Sequence, residues 1–173
     1  MEMLRWSLFV QGTRLRPRVL LSDGGEDALA ELTLRGGPAG SLGRATDRDG
    51  RRWDAQIDGG VVTVRCGGRV LARAEGEELT AGGRTFPWTA SLQGTRGATM
   101  TDDDGYELLR VAPGLGGDDA PWITIDLDEL LPSPLAITLA TCFVLLRVDA
   151  LGRREDAAPA EDQPRRRLWG RRG

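Results

Sequence analysis

The chain reads as a mainly β protein: a closed antiparallel β-barrel of about twelve strands around a buried hydrophobic C-terminal helix. Three observations predict this. Short runs of alternating apolar and polar residues recur along the first 130 positions, each bounded by Gly, Asp or Pro. No helical periodicity interrupts them, so parallel βαβ units have nothing to build their crossovers from. Finally, Leu135 to Leu146 holds only Leu, Ile, Val, Phe, Ala, Cys and Thr. A helix apolar on every side must be enclosed.

The strands come in order. Leu4, Trp6, Leu8 and Val10 alternate with Arg5, Ser7 and Gln11, Phe9 being the exception. Two apolar runs flank Asp23-Gly24-Gly25, and Trp53, Ala55 and Ile57 alternate with Arg52, Asp54 and Gln56. Gly67-Gly68, Gly82-Gly83 and Asp104-Gly105 each sit between β-rich runs, the pattern of a tight hairpin. The run WITIDL supplies a last strand. Six Gly-Gly pairs (24-25, 36-37, 59-60, 67-68, 82-83, 116-117) suit an antiparallel meander. There is also an internal echo: ATDRDGRRWDAQI from Ala45 aligns with MTDDDGYELLRVA from Met100, suggesting two similar half-barrels.

A sheet of this many strands hides its edges by closing, and a lumen that wide needs a plug. The helix from Pro134 to Leu151 is that plug, with Ser133 as N-cap, Pro134 in the first turn and Gly152 just past the end. Its length, roughly 25 Å at about 1.5 Å per residue, matches a barrel of strands five or six residues long.

Composition excludes much chemistry. All 23 basic residues are Arg; Lys, His and Asn are absent. The common imidazole proton shuttle and metal ligand, the Schiff-base amine and the phosphate-loop lysine are therefore missing. There is no G-x-S-x-G, P-loop or C-x-x-C, so nothing speaks for an enzyme or a cofactor. Cys66 and Cys142 read as small buried hydrophobes. The D-x-D-G stretches at Asp47 to Gly50 and Asp102 to Gly105 read as hairpin turns and not as a Ca²⁺ loop, which needs more ligands. Asp118, Asp119, Asp126, Asp128 and Glu129 read as solvated turn and helix-start acids. The N-terminus lacks the apolar run of a signal peptide, so a cytoplasmic protein is expected, peripheral at a membrane if its tail binds one.

The paired D-x-D-G hairpins followed by a hydrophobic C-terminal helix resemble the tubby C-terminal-like superfamily, which includes the LURP-one-related proteins and the phospholipid scramblases. The resemblance covers residues 1 to about 151. It implies a twelve-stranded barrel around a central helix and a role involving phosphoinositides or other membrane lipids. No ligand residues carry over, because the basic pairs of the tubby proteins have no counterpart here.

Domain organisation is therefore a barrel over 1–151, with its helix at 134–151, and a polar Arg-rich tail over 152–173, read as disordered. The tail holds seven of the 23 Arg and four of the 26 acids, placing +3 on a body of −6. Its last cluster, Arg165, Arg166, Arg167, Trp169, Arg171 and Arg172, combines five cations with an indole. Such a set suits an anionic lipid surface. Nucleic acid attracts the same charges but ranks behind lipid, and a tail docked on its own acidic body needs no outside partner. The expected function is non-catalytic binding or scaffolding at anionic membrane lipids. Alternatives are a tail anchor with residues 135–151 in the bilayer, or a protein-interaction module without lipid.

Overall fold

The computed structural model describes residues 2–13, 16–35, 42–91, 97–114 and 119–155. Twelve strands follow one another around a closed antiparallel barrel in chain order, and the first pairs with the last. They are β1 (Met3–Thr13), β2 (Arg16–Ser22), β3 (Ala30–Arg35), β4 (Leu42–Asp47), β5 (Arg52–Asp58) and β6 (Val61–Cys66). After them come β7 (Arg69–Glu75), β8 (Glu78–Ala81), β9 (Arg84–Ser91), β10 (Gly97–Thr101), β11 (Glu107–Pro113) and β12 (Ile123–Asp128). One helix, α1 (Pro134–Glu155), follows.

Closure depends on register. At the seam Leu4 faces Leu127, Trp6 faces Ile125 and Leu8 faces Ile123, so the inward stripes of both strands meet and no edge is left. Between β5 and β9 the turns are as short as turns can be. Gly59-Gly60, Gly67-Gly68 and Gly82-Gly83 are two-residue connections, and every one of these six glycines has positive φ. That is the backbone of a hairpin turn whose twist matches its strands. Pairs 36-37 and 116-117 lie outside the described residues.

Strands alternate in direction, so the connections after β2, β4, β6, β8, β10 and β12 share one end, called here the near end. The helix starts there: Pro132 lies against the β8–β9 turn, where a side chain at Gly82 would collide with it. The Ser133 carbonyl accepts the first helical bond from the Ile137 N–H at 3.2 Å. Every residue from Ala136 to Phe143 is buried, which is more than two full turns, so the helix has no solvent-facing side. It lies closest to β6 and β7, where the wall is built from small residues such as Ala72 and Ala74. Larger inward side chains on the opposite wall, among them Trp6, Leu8, Leu21, Leu109 and Ile125, complete the core.

Two contacts set the helix within the lumen. The Phe143 ring sits on Gly43 of β4 so closely that a Cβ there would fall within it. Lower down, the Trp88 indole N–H donates to the Thr141 hydroxyl at 3.3 Å, and that hydroxyl donates to the Ile137 carbonyl at 3.0 Å. The Thr138 hydroxyl is buried without a partner. Among the described residues no helix is long and apolar enough to cross a membrane, and positions 136–146 are sheathed by protein.

Four sequence expectations need correction, and one strand was not read from the sequence. The helix runs to Glu155 instead of ending at Leu151; Gly152 keeps helical backbone, and glycine stops a helix only where it turns into the left-handed region. Val10, expected inside, is 43% exposed because it stands towards the far end of β1, the longest strand. Cys66 is half-buried, although Cys142 is fully enclosed. Asp128 is only 4% exposed and is no solvated acid. Strand β4 has no apolar alternation to reveal it, since its inward positions are Gly43 and Ala45.

Candidate functional site

Because the lumen is occupied by the chain's own helix, places for chemistry or binding lie on the barrel wall and at its ends. The arginines and the tryptophan singled out in the tail, Arg165 to Arg172, lie outside the described residues. Among the described residues no three His, Cys, Asp or Glu side chains stand close enough to hold a metal ion. The Cys142 thiol is pushed up to about 12 by burial, so the nucleophilic thiolate is not formed at ordinary pH.

The wall carries outward ion pairs. Arg5 pairs with Asp126 (2.7 Å), Arg18 with Glu31 (3.0 Å) and Arg44 with Asp54 (3.2 Å). The guanidinium of Arg18 holds the Glu31 carboxyl below its usual range, chiefly by hydrogen bonding. A shallow recess of about 280 Å³ over the paired Gly43 and Ala55 is rimmed by Arg44, Asp54, Gln56 and Arg65. Arg44 is held by Asp54, and Arg65 donates to the side-chain amide oxygen of Gln56 at 3.4 Å. These pairs are exposed and stabilise little.

The D-x-D-G stretches are hairpin turns of one design. In the β4–β5 turn the Asp47 carboxylate accepts from the Asp49 and Arg51 N–H groups at 3.0 and 2.8 Å. In the β10–β11 turn Asp102 accepts from the Asp104 and Tyr106 N–H groups at 3.0 and 2.8 Å. Gly50 and Gly105 take φ of 79° and 85°, which a residue with a Cβ adopts only with strain. One oxygen of each leading carboxylate is thus spent on its own backbone, and the two turns stand six strands apart in a ring of twelve.

Past the turns the two copies diverge. The second oxygen of Asp47 accepts from the Trp53 indole N–H at 2.9 Å, which closes the first hairpin. Leu108 stands where Trp53 stands, and the register shift between β10 and β11 leaves it as an extra residue opposite none. The second oxygen of Asp102 therefore takes no hydrogen bond from a described residue.

A pocket of about 150 Å³ opens beside it, lined by Asp102, Asp128, Arg84, Leu108, Leu131 and Pro132, with Phe86 and Leu130 completing it. Asp128 uses one oxygen to accept the Leu130 N–H at 2.8 Å, starting the turn that carries the chain into the helix. Arg84 lies over the Phe86 ring at 4.9 Å and makes no ion pair with a described residue. Sequence reasoning missed this pocket. Its signal is the Trp-to-Leu mismatch between positions 53 and 108 of the internal echo, but the burial of Asp128 depends on where the linker to the helix folds.

No family model, curated protein or solved structure matches the chain.

Proposed function

We propose that the protein is a non-catalytic binding barrel that associates with anionic membrane lipids through Arg165, Arg166, Arg167, Trp169, Arg171 and Arg172. One observation carries the reading: among the described residues the helix occupies the lumen with buried side chains, so recognition belongs to the surfaces and to the chain beyond the barrel. The alternating order of strands supports the same division, because α1 begins at the near end and, after Phe143 has met Gly43 towards the far end of β4, continues outward to Glu155. Kinship with the tubby C-terminal-like superfamily belongs to the same proposal; a closed twelve-stranded barrel around a helix is the architecture that resemblance implies, and architecture alone does not carry function.

The test is sedimentation with phosphatidylserine-containing vesicles. At about 1 kcal/mol per arginine near an anionic surface, binding of the full chain is strong at low salt and weak at high salt. Deleting residues 165–173 abolishes it. Equal binding with and without those residues overturns the reading.

A further inference from the structure

We infer that the near-end pocket is the docking site of the chain's own Arg-rich segment, residues 165–172, with one arginine side chain inserted between Asp102 and Asp128. The pocket has the two parts such a side chain requires. Leu108, Leu131 and Pro132 provide apolar walls for the methylene stem. Asp102 and Asp128 each keep an oxygen that takes no hydrogen bond from a described residue, and a guanidinium is the group that serves two such acceptors at once. Asp128 is 4% exposed overall, and its second oxygen stays accessible from the pocket.

The surroundings match the rest of the segment. Glu26, Asp27, Asp49, Asp103, Asp104 and Glu129 are exposed near-end carboxylates, none of them in an ion pair with a described residue, against the five cations of the tail. Leu130, 80% exposed, lines the pocket, and Tyr106, 64% exposed, follows Asp102 in the β10–β11 turn; they are the most exposed large apolar side chains of the described residues and apt partners for Leu168 and Trp169. Arg84 is the one cation among the lining residues; two carboxylates outnumber it, and its guanidinium lies over the Phe86 ring.

Chain length permits the return. Helix α1, at about 1.5 Å per residue, spans roughly 33 Å over its 22 residues. The ten residues from Glu155 to Arg165 reach about the same distance when extended, at roughly 3.3 to 3.6 Å each, and residues 166–172 add more. Intramolecular docking also starts from the high effective concentration that a short tether gives.

The consequence rests on the membrane reading above: a docked segment is withheld from lipid, and an anionic surface must compete for it. The docking itself does not rest on that reading. It is tested with the full chain through Trp169, whose emission is the difference between the wild type and Trp169→Phe. At low salt Trp169 should be shielded from acrylamide relative to a free peptide of residues 163–173. Two substitutions should unshield it: Leu130→Arg, which places a cation on an exposed lip without touching the core, and Leu108→Trp, which fills the pocket.

Salt at about 0.5 M, where the screening length is roughly 4 Å, should do the same. Shielding should not depend on protein concentration. Leu130→Arg should also raise vesicle binding several-fold, since two sites competing for one segment are coupled. A Trp169 as open as the peptide's at low salt overturns the proposal. So does shielding that survives both substitutions, or shielding that grows with concentration, which assigns the pocket to a second copy. Shielded Trp169 in a chain that ignores vesicles keeps the docking and removes only the membrane reading.

Discussion

The hairpins β4–β5 and β10–β11 begin as copies and end as opposites. Both turn on an Asp-x-Asp-Gly stretch with the same two backbone bonds to the first carboxylate. In the first, Trp53 hands its indole N–H to Asp47, and Arg48 reaches Asp23 and the Asp27 carbonyl, both at 2.8 Å, tying the turn to the β2–β3 loop. In the second the corresponding residues are Leu108 and Asp103, so the indole bond and the tie are both gone. The difference teaches that the repeated residues specify a turn, and the residues that vary decide whether it becomes part of the scaffold or the rim of a pocket.

The helix registers the same asymmetry, and there the largest effect is expected. Phe143 rests on Gly43, whose counterpart in the second hairpin is Ala98. Phe143→Ala should cost about 3–5 kcal/mol and Gly43→Ala about 1–3 kcal/mol by overpacking. Combined, the two should cost less than their sum by at least about 1 kcal/mol. Urea unfolding monitored by circular dichroism measures all three, and simple additivity would show that ring and glycine are not a fitted pair.

A middling effect comes from exchanging the residues that set the hairpins apart. Trp53→Leu should cost about 2–4 kcal/mol, as a cavity opens and the Asp47 oxygen loses its donor. Leu108→Trp enters an existing space beside an acceptor and should stabilise by up to about 1 kcal/mol. Comparable losses from both would mean that the second hairpin is packed as tightly as the first.

The smallest effect concerns pH. Hydrogen bonding from Arg48, then the Gly25 N–H, holds the Asp23 carboxyl below its usual range. A carboxyl lowered on folding contributes stability above its unfolded value, near pH 4, and loses it as pH falls through the folded value. Arg48→Ala should therefore flatten only the acid limb of the stability curve and return the Asp23 carboxyl, followed by NMR, to the ordinary range. An unchanged titration would mean that Gly25 alone sets it.

The extent to which the chain announces these features follows their range. Trp53, Ala55 and Ile57 declared an inward face by alternation, and Gly67-Gly68 and Gly82-Gly83 declared their turns, because pleat and turn chemistry act between neighbours. Strand β4 was not legible: its inward glycine and alanine are small in order to admit Phe143, a hundred residues away. Cys66 and Val10 likewise sit near strand ends, where alternation continues past the point at which burial stops.

By itself, then, the sequence determined a mainly β chain with an enclosed C-terminal helix, since a segment apolar on all sides has no other stable surroundings in water. It also determined the two matched turns, through carboxylates three residues before glycine. Only the tertiary structure decided which wall the helix leans on, where its linker folds, and that Asp128 and Asp102 face one pocket. Those outcomes depend on the packing of side chains distant in sequence, and close packing is a property of the assembled core and not of any local stretch.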